Sequence, residues 1–133
     1  MKAVAAKLTR ALNIGSLVLA SDNSGARIVR IVGVKRGKSK KGRQQYAKIG
    51  DGVKVSVRKG ESKLKGQVFD AVVIRQKKPF RRNTGERVAF MDNAVALLKD
   101  DKGNPKGTQI KGPIAKEVAE RWQFLAKITK YVV

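Results

Sequence analysis

Short apolar segments of strand length, separated by polar turns, fill the chain between residues 17 and 98. The clearest lies within residues 49–58, where valines alternate with polar side chains, the period-two pattern of a strand with one buried face. Turns rich in Asn, Asp, Ser and Gly separate the segments, and no helical pattern lies between them. This pattern favours an antiparallel sheet closed into a small barrel, because closure removes exposed strand edges. The other predicted strands are residues 17–20, 26–34, 68–74, 87–90 and 94–98.

The two ends of the chain follow other patterns. Residues 1–13 are predicted to form a short N-terminal arm that is partly helical. Residues 107–133 are predicted to form a C-terminal helical segment, as one amphipathic helix or two short ones, and residues 128–133 are a candidate closing strand. No linker divides the chain, so residues 1–133 are expected to form one domain. The apolar residues at helical spacing are Ile114, Val118, Trp122 and Leu125.

Positive charge is concentrated in the first two thirds of the chain. The sequence has 31 Lys and Arg against 10 Asp and Glu, a formal net charge of +21, and +18 of this lies before residue 88. Self-repulsion of this size weakens a fold, which indicates a polyanionic partner. No apolar run is long enough to span a bilayer and the N-terminus lacks the apolar core of a secretory signal, so nucleic acid is favoured over a membrane.

The chain contains neither Cys nor His, which excludes disulfides and removes the usual general base and the commonest metal ligand. Residues 33–39 have three residues between their glycines where a nucleotide-binding loop needs four. Residues 100–104 lack the alternating ligands of a calcium loop. We therefore expect no catalytic residue, cofactor, metal or small-molecule substrate. An enzyme that acts on RNA stays a minor alternative, since it would lack His and any motif with paired carboxylates.

Two basic segments between predicted strands are candidate RNA contacts. Residues 35–48 hold seven basic and no acidic side chains, a composition that neutralises phosphates with little sequence preference. Residues 75–82 predict a basic hairpin with Phe80 near its tip, and Phe80 either stacks on a base or sugar or packs onto the barrel rim. Trp122 likewise is either core or a protein contact. A free-standing single-strand RNA or nucleoid-binding barrel is less favoured, because only seven aromatic residues are available for stacking.

Five fragments, in this order and spacing, resemble the ribosomal protein L-fourteen family, a universal component of the large subunit. The N-terminal arm and the sequence PIAKEVAERW are similar to its archaeal and eukaryotic branch. The fragments are residues 17–27 (LVLASDNSGAR), 50–52 (GDG), 70–82 (DAVVIRQKKPFRR), 85–98 (with FMDN) and 107–117 (GTQIKGPIAKE).

This resemblance implies a five-stranded β-barrel with a projecting β-ribbon and short C-terminal α-helices. It implies a structural component of the cytoplasmic ribosome that binds large-subunit rRNA and contributes to an intersubunit bridge with small-subunit rRNA. It also implies neighbouring large-subunit proteins and a subunit anti-association factor as partners.

Together, charge and resemblance define two sets of expected contact residues. The residues expected to bind rRNA are Arg27, Arg30, Lys35, Arg36, Lys38, Lys40, Lys41, Arg43, Lys54, Lys63, Lys65, Arg75, Lys77, Lys78, Arg81 and Arg82. The residues expected to contact a protein partner or lie at the subunit interface are Lys106, Thr108, Lys111, Lys116, Arg121 and Trp122.

Overall fold

A closed five-stranded β-barrel forms the centre of the protein in the computed structural model, which describes residues 3–35 and 41–133. Its strands match the predicted segments closely, because alternation of apolar and polar residues is a local property that survives folding. The barrel strands are β3 (Leu17–Ala20), β4 (Ala26–Val34), β6 (Gly52–Gly60), β7 (Val68–Arg75) and β10 (Ala94–Leu98).

The barrel closes through one parallel strand pair. Four neighbouring pairs are antiparallel, whereas β10 runs parallel to β3, with Ala94 opposite Leu19 and Val95 opposite Ala20. Five strands of alternating direction cannot close otherwise, since the first and the fifth point the same way. The predicted barrel is thus confirmed, and its closing pair departs from a purely antiparallel sheet for this geometric reason.

Aliphatic side chains fill the barrel interior. The inward positions of β4 and β6 alternate with exposed ones, whereas β10 is buried at every residue. Inward-facing residues of the barrel that are fully or almost fully buried include Val29, Ile31, Val53, Val55, Val57, Val73 and Leu97.

The N-terminal arm forms strands where partial helix was predicted. An arm of this length is marginal as an isolated helix, and pairing with distant strands decides its conformation. Its strand β1 pairs with β8, which pairs in turn with β9, and β2 pairs with β5. The short strands outside the barrel are β1 (Ala6–Lys7), β2 (Leu12–Asn13), β5 (Tyr46–Ala47), β8 (Phe80–Arg82) and β9 (Arg87–Val88).

The C-terminal segment forms two short helices, α1 (Lys116–Arg121) and α2 (Gln123–Ile128). Apolar side chains from both helices join the barrel core, as the helical spacing predicted. The final strand β12 (Tyr131–Val132) pairs in parallel with β11 (Pro113–Ile114). The candidate closing strand therefore belongs to a separate two-stranded sheet and does not close the barrel.

Candidate nucleic-acid interface

Arg75, at the end of β7, lies buried at the centre of a polar cluster. Its Nε and Nη2 atoms donate to the two carboxylate oxygens of Asp92 at 2.8 and 3.1 Å. Its Nη1 atom donates to the backbone oxygens of Lys111 and Pro113, and Nη2 also donates to the Ser21 hydroxyl. This guanidinium fastens the C-terminal segment to the barrel, so we remove Arg75 from the expected phosphate contacts.

Gly112 is required beside this guanidinium. Its φ is +81°, a backbone conformation that residues with a side chain rarely adopt. A Cβ atom at this position would lie 2.5 Å from Arg75 Nη1. The absence of a side chain at Gly112 therefore makes room for Arg75.

Arg82 is likewise buried, while its neighbour Arg81 is exposed. The Arg82 side chain donates to the Glu117 carboxylate at 2.8 and 3.3 Å and to the backbone oxygen of Val133 at 2.6 Å. Phe80 is fully buried on the same side of β8, so it packs on the barrel, as one of its two interpretations predicted. Because side chains alternate along a strand, the apolar Phe80 was a sequence signal that Arg82 points inward and Arg81 outward.

Lys77 and Lys78 are exposed on a turn that the protein holds in place. The fully buried Gln76 accepts a hydrogen bond from the Ile49 amide at 3.0 Å and donates to the Lys78 backbone oxygen at 2.8 Å. The Lys77 amide donates to Asn93 Oδ1, also at 2.8 Å. A turn ordered before binding loses little conformational entropy when it meets a ligand. The two lysines thus have the geometry of a preorganised cationic site.

Lys35 and Lys54 share one carboxylate. Both Nζ atoms lie 3.2 Å from an Asp70 oxygen. Partial burial acts to raise the pKa of Asp70, but contacts and charges of Lys54 and Lys35 outweigh it, and the pKa lies below its ordinary value. Asp70 therefore neutralises part of the charge expected to face rRNA.

The remainder of the basic loop at residues 35–48 is only partly described. The predicted contacts Arg36, Lys38 and Lys40 lie outside the described residues, whereas Lys41 and Arg43 are exposed. Nearby, the Arg10 guanidinium stacks 4.4 Å from the centre of the Tyr46 ring. Nothing in the local sequence marks Arg10 as a contact residue, since only tertiary pairing of the arm with β5 brings it here.

Four further predicted rRNA contacts are exposed on the barrel surface. Arg27 and Arg30 lie on β4, and Lys63 and Lys65 lie on the loop that joins β6 to β7. Backbone bonds from Leu64 and Lys65 to the Glu61 oxygen order this loop. These side chains are therefore accessible cations on a rigid support.

Asn23 ties the β3–β4 turn to the predicted interface segment. Its Oδ1 atom accepts bonds from the amides of Thr108 and Gln109, and its Nδ2 atom donates to the Thr108 hydroxyl at 2.7 Å. Lys111 lies beside Arg27 in one open cleft of about 590 Å³. One residue expected to bind rRNA and one expected at an interface therefore line the same cleft.

The other predicted interface residues differ in accessibility. Lys116 is exposed, and the half-buried Lys106 places its Nζ atom 4.8 Å from the centre of the Phe69 ring. Trp122 is buried, and its Nε1 atom donates to the Gly50 oxygen at 2.9 Å. We therefore remove Trp122 from the expected interface, because its ring belongs to the core.

Arg121 is half-buried beside Asp51, with Nη1 at 3.7 Å from Oδ1. Burial raises the pKa of Asp51 above its ordinary value, although a hydrogen bond from the Lys48 amide and the charges of Lys48 and Arg121 oppose this. Arg121 thus compensates a partly buried carboxylate, and only part of its guanidinium is accessible to a partner.

Neither a metal site nor a membrane helix is found in the part of the chain that the structure describes. No three His, Cys, Asp or Glu residues among residues 3–35 and 41–133 come together as metal ligands. Within the same residues, no helix is long and apolar enough to cross a membrane.

The fold and its surface define a class, that of small, strongly basic β-barrel proteins with a helical C-terminal segment. A family model described as ribosomal protein L14p/L23e matches residues 11–133, and the chain belongs to this family. The protein is therefore a structural, non-enzymatic component of the ribosome.

Three archaeal proteins illustrate the similarity, and each aligns over the whole of both chains. Each is called large ribosomal subunit protein uL14. The chain is 55% identical to the protein of Nanoarchaeum equitans, 49% to that of Methanothrix thermoacetophila and 44% to that of Haloarcula marismortui. The resemblance to the L-fourteen family, in its archaeal form, is thus confirmed.

Proposed function

We propose that this protein is a component of the large ribosomal subunit in the cytoplasm and binds large-subunit rRNA through exposed cations on rigid turns and strands. The observation that carries the proposal is the Lys77–Lys78 turn, whose backbone is fixed by Gln76 and Asn93 while both side chains stay exposed. Cations held in this way neutralise phosphates and release counterions without ordering the protein further.

The whole chain acts as one rRNA-binding domain in this proposal. One continuous core supports this, since it includes Leu12 from the arm and Leu125 from the C-terminal segment together with the barrel. The arm and the tail therefore keep fixed positions relative to the barrel, and contacts along the surface hold rRNA segments in a defined arrangement.

Sedimentation tests the proposed location. The protein is expected to travel stoichiometrically with large subunits in magnesium and to stay bound through a moderate-salt wash. Lys77→Ala/Lys78→Ala is expected to wash off at lower salt, since each lost phosphate contact lowers the salt slope of binding by about 0.7–0.9. Lys99→Ala/Lys102→Ala removes the same charge from another exposed loop and serves as control. A wild-type protein that stays at the top of the gradient refutes the proposal.

We further propose that the exposed surface around Thr108, Lys111 and Lys116 faces the small subunit and contributes to an intersubunit bridge with its rRNA. Neighbouring large-subunit proteins and a subunit anti-association factor are the other proposed partners of this surface. The support is its rigidity, which Asn23 and Arg75 provide through bonds to this segment. Lys111→Glu is expected to slow subunit association measured by light scattering, and unchanged association would contradict the bridge.

A further inference from the structure

Three cations line up across the small sheet formed by β1, β8 and β9. Lys7 is the register partner of Arg81, and Arg81 is the partner of Arg87. Residues directly opposite in antiparallel strands project to the same side of a sheet. All three are exposed, whereas Phe80 and Arg82 occupy the inward side. We call Lys7, Arg81 and Arg87 the basic row.

None of these three side chains has a carboxylate partner within 4.0 Å among the described residues. Like charges directly opposite on neighbouring strands destabilise a sheet. The free protein therefore carries a repulsive arrangement that an anionic ligand would relieve.

The basic row borders a cleft of about 410 Å³, which Leu8 and Thr9 also line. The Thr9 hydroxyl donates to the Pro79 backbone oxygen at 2.7 Å and accepts a bond from Gln76 at 3.2 Å. These bonds hold the arm beside β8, so the cleft has a fixed floor and walls.

We propose that the basic row binds the phosphodiester backbone of RNA within this cleft. The inference rests on the proposed function and adds to it a site that includes Lys7 and Arg87, two residues that the sequence analysis did not select. Two strand spacings separate the backbones at Lys7 and Arg87 by about 10 Å. An RNA strand that crosses the sheet can therefore contact all three side chains of the basic row. Guanidinium groups bind phosphate oxygens in pairs, and such contacts position RNA without reading its bases.

The experiment compares the full-length protein with Lys7→Gln/Arg81→Gln/Arg87→Gln. Binding to a labelled oligouridylate, which offers phosphates without base pairing, is measured at several salt concentrations by fluorescence anisotropy. The salt slope is expected to fall by about two units, because each single-strand phosphate contact contributes about 0.7. The control Lys99→Gln/Lys102→Gln/Lys130→Gln makes the same change of net charge at exposed positions that belong to none of the three strands. Equal slopes in the two triple variants overturn the proposal.

Thermal melting separates binding from folding. The basic-row variant is expected to melt at the wild-type temperature or above it, because a cross-strand repulsion is removed. A lower melting temperature would mean that the three side chains stabilise the free fold, which contradicts the unpaired geometry on which the proposal rests.

Free phosphate is the competing source of the same chemistry. Side-chain Nε–H resonances of Arg81 and Arg87 are followed during titrations with oligouridylate and with inorganic phosphate. Shifts are expected at far lower concentrations of the RNA, and a preference for inorganic phosphate overturns the proposal.

Failure of this inference is distinguishable from failure of the proposed function. If wild type co-sediments with large subunits while the basic-row variant retains the wild-type salt slope, only this inference fails. If wild type neither co-sediments nor binds rRNA, the proposed function fails.

Discussion

Arg82 and Glu117 form a buried ion pair that joins the β8–β9 hairpin to the first helix of the C-terminal segment. Arg82 Nε lies 2.8 Å from Glu117 Oε1, and both side chains are almost inaccessible to solvent. The same guanidinium binds the backbone oxygen of Val133. One side chain thus connects the surface proposed to bind rRNA with the segment proposed to face other partners.

Glu117→Ala is expected to lower the free energy of unfolding by about 3–5 kcal/mol, because it leaves the buried Arg82 charge without a partner. Urea denaturation measures the change. Glu120→Ala, at an exposed position of the same helix, is the matched control and is expected to stay within about 0.5 kcal/mol of wild type. Arg82→Met/Glu117→Leu should recover most of the loss, since it buries no charge. A double variant as unstable as Glu117→Ala would contradict this account.

Trp122→Ala is expected to lower the unfolding free energy by about 3–5 kcal/mol, since the buried ring is lost. Trp122→Phe keeps an aromatic ring but leaves the Gly50 oxygen without its donor, for a loss of about 1–3 kcal/mol. Phe124→Ala provides the control, because that ring is 46% exposed. Were Trp122→Ala to fold normally and lose only a protein partner, the interface interpretation would be restored.

Gln76→Met is expected to destabilise the protein by about 1–3 kcal/mol for each buried polar group left unpaired, chiefly the Ile49 amide and the Lys78 oxygen. Faster hydrogen exchange at the Ile49 amide would report the broken bond directly. Gln123→Met, at an exposed position, is the control. Unchanged exchange at Ile49 would show that Gln76 does not hold the Lys77–Lys78 turn.

Asp70→Asn is expected to destabilise the fold near neutral pH and to have no effect in strong acid. The pKa of Asp70 is lower in the folded protein, so its ionised form adds stability above the ordinary value of 3.8. That stability disappears as pH falls through the folded pKa. Urea denaturation at a series of pH values measures the difference from wild type, and a difference that persists at the acid end would be inconsistent with this cause.

Asp51 gives the opposite sign and serves as an internal comparison. Burial raises the pKa of Asp51 in the folded protein, so ionisation of this carboxyl lowers the unfolding free energy. The lost stability returns as pH falls through the folded pKa toward the ordinary value of 3.8. Wild-type protein is expected to gain unfolding free energy from Asp51 on acidification, and Asp51→Asn removes that gain. Asp70→Asn instead removes a loss of unfolding free energy on acidification.

The sequence by itself determined the barrel strands, the helical tail and the strong positive charge. Residues 26–34 and 94–98 were predicted with the bounds that the structure has, because apolar alternation and flanking turns are encoded locally. Net charge needs no structure at all. The order of the family fragments likewise indicated the barrel.

The tertiary structure alone decided which cations are available to a ligand. Arg75, Arg81 and Arg82 belong to one basic run, yet only Arg81 is exposed. Arg75 is paired with Asp92 and Arg82 with Glu117, and these carboxylates lie 17 and 35 residues farther along the chain. The basic run by itself therefore does not show which of its arginines are paired. The basic row unites Lys7 with side chains more than 70 residues away through strand register. A local pattern gives the period of a strand, but which charges meet, and which are neutralised, depends on pairing between distant segments.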